Sequence, residues 1–397
     1  MKVAIIFLLT AYVVCAAPAE EEPLKALATG NRQFAANVYK EIVKTQKGNL
    51  IFSPFSAETV LALLSAGAKG DTHDELVSGL SLPRNQQTIQ SAFKEFLPTV
   101  NKNTDDLKLL SANKIYAGKD VKLEADYNKI ASDVYNSGVQ NVDFEKNVEA
   151  AGIINSWVEE QTNNKIKDLI KPDAIDGSTA MVLVNALYMS AKWVNTFDKY
   201  STAPQKFWRT KDNSVDVPMM KQIDHFRYYD NKDLGVKFLE LPYIGDGLSM
   251  VIALPDERDG LTAIESNIEK IMEPQPMESK RVDVKLPKFK IESEIKFVDI
   301  LKSLGVEKIF NPGANLSGLS ATHKNLMVSD VIQKAFIDVT ESGTEAAAAT
   351  AVIAVERVMV MELPNPAPIP FHVDHPFSYF IKKDDVILFV GKIDNLN

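Results

Sequence analysis

Cysteine is all but absent from this chain: its 397 residues hold one, Cys15. A single thiol forms no intramolecular disulfide. Spaced cysteine pairs for zinc, a thioredoxin-type redox pair and a cysteine nucleophile within a folded domain are likewise excluded. Long apolar runs are missing too. Beyond the first fifteen residues or so, no stretch is apolar enough to span a membrane. Histidine is scarce, and none of His73, His225, His323, His372 and His375 is paired at metal-ligand helical spacing. His372 and His375 are three apart, but Pro376 follows and a strand is expected there. There is no G-x-S-x-G, H-E-x-x-H or G-x-x-x-x-G-K-[ST] motif, and Gly245-Asp246-Gly247 precedes a strand, so it reads as a turn. No catalytic constellation, cofactor site or metal site is read from the chain. Positive charge is in deficit, with Lys plus Arg at 44 against Asp plus Glu at 53, a net −9. That balance argues against nucleic acid and anionic membrane as partners.

What is present is the make-up of a soluble globular protein: 45% apolar and 24% charged residues, in a length that suits one large domain or two ordinary ones. The N-terminus has the layout of a secretory signal. Lys2 supplies the positive start, 3–14 is apolar except for Thr10, and Val14-Cys15-Ala16 fits the small-residue cleavage rule. The rival reading is a buried N-terminal helix. With the signal at 1–16, Cys15 leaves with it, and the mature chain is secreted, cysteine-free and stabilised by packing alone.

Helices and strands alternate without an internal period, a low-complexity tract or a flexible linker. Apolar spacing predicts helices over 24–45, 57–68, 71–80, 87–100, 125–135, 148–162 and 295–304, with Ser56 as the cap of the second. Strands are predicted over 107–115, 180–188, 248–254, 282–286, 289–291, 331–339 and 386–390. The class is mixed α and β with mostly antiparallel strands.

One segment is unusual. Residues 341–364 read ESGTEAAAATAVIAVERVMVMELP. Its first half is Ala-rich and its second half is β-branched and apolar, with no cap or hairpin signal between them. Extended, it would place Thr344, Ala346, Ala348 and Thr350 on one face, small enough to enter a sheet already lying on a core. From composition alone, an exposed Ala-rich helix or loop is the stronger reading.

A set of ordered motifs changes that balance. Asn49-Leu50-Ile51-Phe52-Ser53-Pro54-Phe55-Ser56 is similar to the shutter segment of the serpin family. Asn155-x-Trp157 with Thr162 and Ile166, then Val184-Asn185-Ala186-Leu187-Tyr188 with Trp193 and Phe197, match further family patterns. Leu286-Pro287-Lys288-Phe289, the run from Phe371 to Tyr379, and Phe389-Val390-Gly391-Lys392 follow in the same order. Glu341, Gly343, Thr344, Glu345, Ala346, Ala347, Ala348 and Ala349 resemble the hinge of an inhibitory member's reactive-centre loop. From about Leu27 to Asn397 the chain resembles a serpin. It departs from the pattern at Gln333, where many members carry histidine in the shutter network, at Met189, Ser190 and Ala191, and at the C-terminal Leu396-Asn397.

The resemblance implies an α+β serpin fold in a single domain over 17–397. Mixed, mostly antiparallel sheets would carry about nine helices and an exposed reactive-centre loop at about 341–364. Ser53, Ser56, Asn185, Trp193 and Gln333 would form its shutter and breach. It also implies a serine protease inhibitor that is not itself an enzyme and needs no cofactor. A protease attacks the loop, and the cleaved loop inserts as a new strand of about 14 residues, on the order of 45 Å long. In inhibitory members the cleaved bond follows the seventeenth residue from the hinge glutamate. Counting Glu341 as one gives Arg357, hence the bond Arg357–Val358 and a trypsin-like target with an acidic pocket. Cleavage after Met359, Met361 or Leu363, suiting chymotrypsin- or elastase-like proteases, stays open, as does a non-inhibitory carrier or chaperone. The partner is then a secreted serine protease met by a monomer, in the manner of insect haemolymph serpins. Asn315-Leu316-Ser317 is the only usable sequon for an N-linked glycan.

Overall fold

The computed structural model of the chain describes residues 22–323, 326–344 and 366–396. The signal read at 1–16, the hinge from Glu345 to Ala349 and the bond Arg357–Val358 lie outside the described residues, as do Met359, Met361 and Leu363.

The chain opens with α1 (Pro23–Thr45), β1 (Leu50–Phe52), α2 (Pro54–Gly67), α3 (Asp71–Gly79) and α4 (Gln86–Phe96). Then come β2 (Lys102–Asn103), β3 (Leu107–Gly118), α5 (Ala125–Asp133), β4 (Gly138–Val142), α6 (Asn147–Gln161) and β5 (Met181–Lys192). A run of strands follows: β6 (Ala203–Trp208), β7 (Ser214–Asn231), β8 (Val236–Pro242) and β9 (Leu248–Pro255). After α7 (Leu261–Ser266) and α8 (Ile268–Met272) lie β10 (Glu278–Pro287), β11 (Phe289–Lys296), α9 (Val298–Ser303), β12 (Asp330–Thr340) and β13 (Gly343–Thr344). The C-terminal strands are β14 (Ile369–His372), β15 (Phe377–Lys383) and β16 (Val386–Ile393). The expected α+β class with mostly antiparallel strands and about nine helices is what the described residues show.

The strands form two sheets. One has nine strands in the order β1-β16-β15-β9-β8-β7-β10-β14, with β6 on β7. The other has seven in the order β11-β12-β13-β5-β3-β2, with β4 on β3. β5 is apolar nearly throughout because both its faces are covered. Its Met181, Leu183, Leu187 and Met189 join the main core, while Val182, Val184 and Ala186 meet Ile154 and Val158 of α6 in a second cluster. The Asn155–Ile166 motif holds α6 in place. Asn155 Nδ2 donates to Ile170 O and its Oδ1 accepts from Ile170 N, at 2.8 and 2.9 Å, and Thr162 Oγ1 accepts from Ile166 N at 3.2 Å.

Several local expectations need correction. Ser53, not Ser56, caps α2: its Oγ accepts from Ser56 N at 3.1 Å, and Pro54 occupies the first turn, where its missing N–H costs nothing. The helix expected over 295–304 starts only at Val298, because Ile295 and Lys296 finish the alternating strand β11 against Gln333 and Ile332. The helix expected over 87–100 stops at Phe96, since Pro98 tightens the next turn into a 3-10 helix at Leu97–Val100. Strands β7 and β8 were not anticipated; β7 mixes polar and apolar residues without a clean period.

α2 also buries a carboxyl group. Glu58 is fully buried; its Oε2 accepts from Asn31 Nδ2 at 2.8 Å, and Asn31 Oδ1 accepts from Ile387 N at 2.8 Å. Burial pushes the Glu58 carboxyl from its ordinary 4.5 up to about 8, against a smaller opposing pull from Asn31. It is therefore neutral at pH 7. The folded chain binds this proton more tightly than the unfolded one, so stability is greatest below pH 4.5 for this group and falls as pH rises to about 8. The slope is about 1.4 kcal/mol per pH unit. Glu58→Gln should flatten the fall in urea midpoint between pH 5 and 8; parallel curves for variant and wild type would refute the assignment.

Candidate functional site

Among the described residues, the seven-stranded sheet is unfinished at its centre. β12 and β5 are parallel neighbours only from Asp330↔Val182 to Gln333↔Asn185. Among the described residues, 334–338 and 186–190 make no ladder with each other; their backbones pair outward with β11 and β3. At the far end β13 is wedged between the two strands and antiparallel to both. Thr344 faces Val339 and Ala191, and Gly343 faces Thr340 and Lys192.

The wedge needs its sequence. Gly343 has φ of +150°, and a Cβ there would lie 2.0 Å from Ala191 O. The Thr344 side chain is buried, and its Oγ1 shares a 2.6 Å hydrogen bond with Tyr243 OH. Burial pushes the Tyr243 phenol far up, so it keeps its proton. Tyr243 stacks on Trp193 with ring centroids 4.2 Å apart. Trp193 Nε1 donates to Thr340 O and its backbone N to Ser342 O, both at 3.0 Å. Glu341 is held from three sides: Lys288 Nζ pairs with it at 2.8 Å, Thr202 Oγ1 donates at 2.9 Å, and its carbonyl accepts from Phe197 N at 2.9 Å. Burial alone would push the Glu341 carboxyl up; the Lys288 bond, its own backbone N–H and Thr202 outweigh that and hold it below the usual range.

At the rung where the strands close, Gln333 acts as a polar clasp. Ser53 N donates to its Oε1 at 2.7 Å, and its Nε2 donates to Ser53 O at 2.8 Å and to Asn185 Oδ1 at 2.6 Å. Ser53 Oγ donates to Leu388 O at 2.6 Å, and Ser56 Oγ donates to Asn113 Oδ1 at 3.2 Å. A primary amide can accept and donate toward one peptide unit at once, as strand backbone does, and it does not titrate near neutral pH. The departure from histidine thus keeps the link between α2 and both strands.

The structure brings Ser53, Ser56, Asn185 and Gln333 into one network, and Trp193, Glu341, Gly343 and Thr344 into another. Asn315 is exposed, with Ser317 Oγ donating to its Oδ1 at 2.8 Å. Sequence reasoning did not single out Tyr243, Thr202 or Asn113, which reach their partners from distant strands and carry no local motif. Lys288 lay inside a recognised motif, but its pairing with Glu341 depends on the fold.

The profile of the family described as Serpin (serine protease inhibitor) matches residues 29–396. Antichymotrypsin-2 of Bombyx mori is 39% identical over 370 residues, which are 92% of this chain and 97% of that protein. Antitrypsin of Bombyx mori is also 39% identical over 370 residues, 92% of this chain and 93% of that protein. The crystal structure of Serpin48, a highly specific serpin of the insect Tenebrio molitor, superimposes with a TM-score of 0.86 at 39% identity, covering 96% of this chain and all of that one.

Removing the clasp tests its weight. Gln333→Ala leaves the buried Ser53 N–H and Asn185 Oδ1 without their partner, while Ser53 C=O keeps the Ala57 N–H at 3.3 Å. The expected cost is about 2–4 kcal/mol, read as a lower urea midpoint and faster loss of native protein on warming. An unchanged midpoint would mean that the network does not hold the rung.

Proposed function

The chain belongs to the serpin family of serine protease inhibitors, which are not themselves enzymes, and from that premise we propose that it is a secreted suicide substrate for a trypsin-like serine protease. The observation that carries the reading is the wedge. Gly343 and Thr344 already occupy the first two rungs of a missing strand, antiparallel to both neighbours. In that register, Glu345 to Ala349 would fall opposite 338–334 and 190–186, the stretch where β12 and β5 have no ladder between them. Ala346 and Ala348 would share the face of Thr344, which is turned inward against Tyr243. Small side chains on that face let the strand enter without moving the core.

Attack on the loop forms an acyl-enzyme through the carbonyl of the residue before the cut. Cleavage frees that end, and the strand zips downward with the protease attached. Insertion of a serpin reactive loop is an established case of strand addition. A dozen or so ladder bonds at a net ~1 kcal/mol each supply on the order of 10 kcal/mol before apolar burial. The uncleaved fold is metastable by that margin. Distortion of a protease site that depends on ångström-scale placement then stalls deacylation.

Arg357–Val358 is the proposed bond, and the count from Glu341 supports it. The relatives named antichymotrypsin-2 and antitrypsin are equally similar to this chain, so their names favour neither target class. The signal layout and the cysteine-free mature chain support a secreted monomer, and Asn315 is its proposed glycan site. The decisive experiment mixes mature protein with trypsin and reads SDS gels and the mass of the released peptide. A covalent complex with a peptide starting at Val358 is the expected result. A complex with chymotrypsin or elastase and a peptide starting after Met359, Met361 or Leu363 moves the bond; cleavage by all three without complex makes the chain non-inhibitory. Thr344→Arg should keep the fold but turn the inhibitor into a substrate, because a guanidinium cannot take the buried place of Thr344 beside Tyr243. A wild-type yield of complex from that variant would sink the insertion mechanism.

A further inference from the structure

One surface runs against the acidic balance of the chain. β7 and β10 pair in the register Lys221↔Lys285, Ile223↔Asp283 and His225↔Arg281, and β14 sets His372 beside Lys285 and Pro370 beside Asp283. Directly opposed residues share a face, and alternate residues return to it. The intervening Phe226, Val282, Val284 and Phe371 are buried on the other side. Ile223 lies at the centre, 43% exposed, with Pro370 exposed beside it. Asp283 is the one carboxylate of these paired positions, 3.7 Å from Lys221 and 3.5 Å from His372. Lys285 and Arg281 have no carboxylate partner among the described residues.

We propose that this face is an auxiliary docking surface for an acidic patch on the protease engaged at the reactive-centre loop. Its place supports this. Arg281 Nη1 donates to Pro366 O at 3.3 Å, where the described chain resumes after the loop, and β14 starts at Ile369. A protease seated on the loop therefore has this sheet face alongside. An apolar centre within a cationic rim is the anatomy of a protein contact. A sulfated polysaccharide would be served by cations alone, without Ile223 and Asp283 in their midst. The face measures roughly 13 by 10 Å from about 3.3 Å per residue and about 4.8 Å per strand, well short of the ~800 Å² per partner of a free-standing complex. It adds to loop docking and acts on the encounter rate.

The inference rests on the inhibitor reading, and its test separates the two. Association rates are measured with anionic and cationic trypsin, which share a primary pocket and differ in net charge, at low and at physiological salt. Wild type should react faster with the anionic enzyme at low salt. Lys221→Gln/Lys285→Gln should lower that rate about 3–10-fold and flatten its salt dependence. The rate with cationic trypsin and the number of inhibitor molecules consumed per enzyme should stay as they were. Equal salt slopes for both enzymes, or wild-type rates from the double variant, overturn the docking surface while leaving the inhibitor intact. Retention of wild type on immobilised heparin at physiological salt, lost in the double variant, also overturns it, because the face would then serve a polysaccharide. Absence of covalent complex with both trypsins counts against the inhibitor reading instead.

Discussion

The structure depends on a sheet whose two central strands, among the described residues, pair directly at one end and only through a two-residue wedge at the other. β5 and β12 share four parallel rungs, from Asp330↔Val182 to Gln333↔Asn185, and among the described residues no further ladder joins them until Gly343 and Thr344 pair with both. Backbone groups facing an unfilled gap are costly when buried. On the proposed reading the gap is a store of free energy, which the inserting strand releases. On that reading, the other features at this site either bound the gap or prepare it to be filled.

Two polar networks define its limits. The Gln333 clasp ties β12 to the start of α2 and to β5, at the last rung before the strands part. At the other end Trp193, Tyr243 and the Lys288–Glu341 pair hold Gly343 and Thr344 between the two strands. α6 lies over the paired end of these strands, packed through Ile154 and Val158 on Val182, Val184 and Ile332. None of these restraints is covalent. With Cys15 as the single cysteine of the chain, no intramolecular disulfide crosses the sheet, and its strands are held by hydrogen bonds and packed surfaces alone.

Much of the fold was legible because it is written in local patterns. The near-continuous apolar run of β5 announced a strand covered on both faces, and the alternation in β11 and β12 announced edge-to-core packing. The motifs that carried the resemblance, Ser53-Pro54-Phe55-Ser56 and Asn185 to Trp193, contribute to the Gln333 hydrogen-bond network and to the contacts of Trp193 with Thr340 and Ser342. What was not legible depends on distance along the chain. Tyr243 meets Thr344 across about a hundred residues, and Thr202 reaches Glu341 across more than that. No periodicity encodes such contacts. The helix cap was misplaced by three residues because Ser53 and Ser56 are equally good cap residues; the choice is made by Pro54, which fits only just inside the helix. β7 was missed since its two faces meet different neighbours along its length, which erases the period of two.

The register of the wedge also bears on why an uncleaved loop would wait. On the proposed reading, the next residue to enter, Glu345, would stand directly opposite Asp338 on β12 and Ser190 on β5. Like charges directly opposed on a sheet face are unfavourable. Lys290 on β11 is paired in register with Asp338 and offsets part of that repulsion. The first step beyond Thr344 therefore gains ladder bonds but carries an electrostatic cost. The following four alanines meet no such cost, until Thr350 would reach the Gln333–Asn185 rung and have to break it. Two modest obstacles bracket an easy stretch. A loop anchored at both ends gains too few rungs to pass the second, whereas a loop cut at its far end can collect all of them. Cleavage then needs to supply no energy of its own; it only removes the tether that keeps the strand from completing a sheet already shaped to receive it.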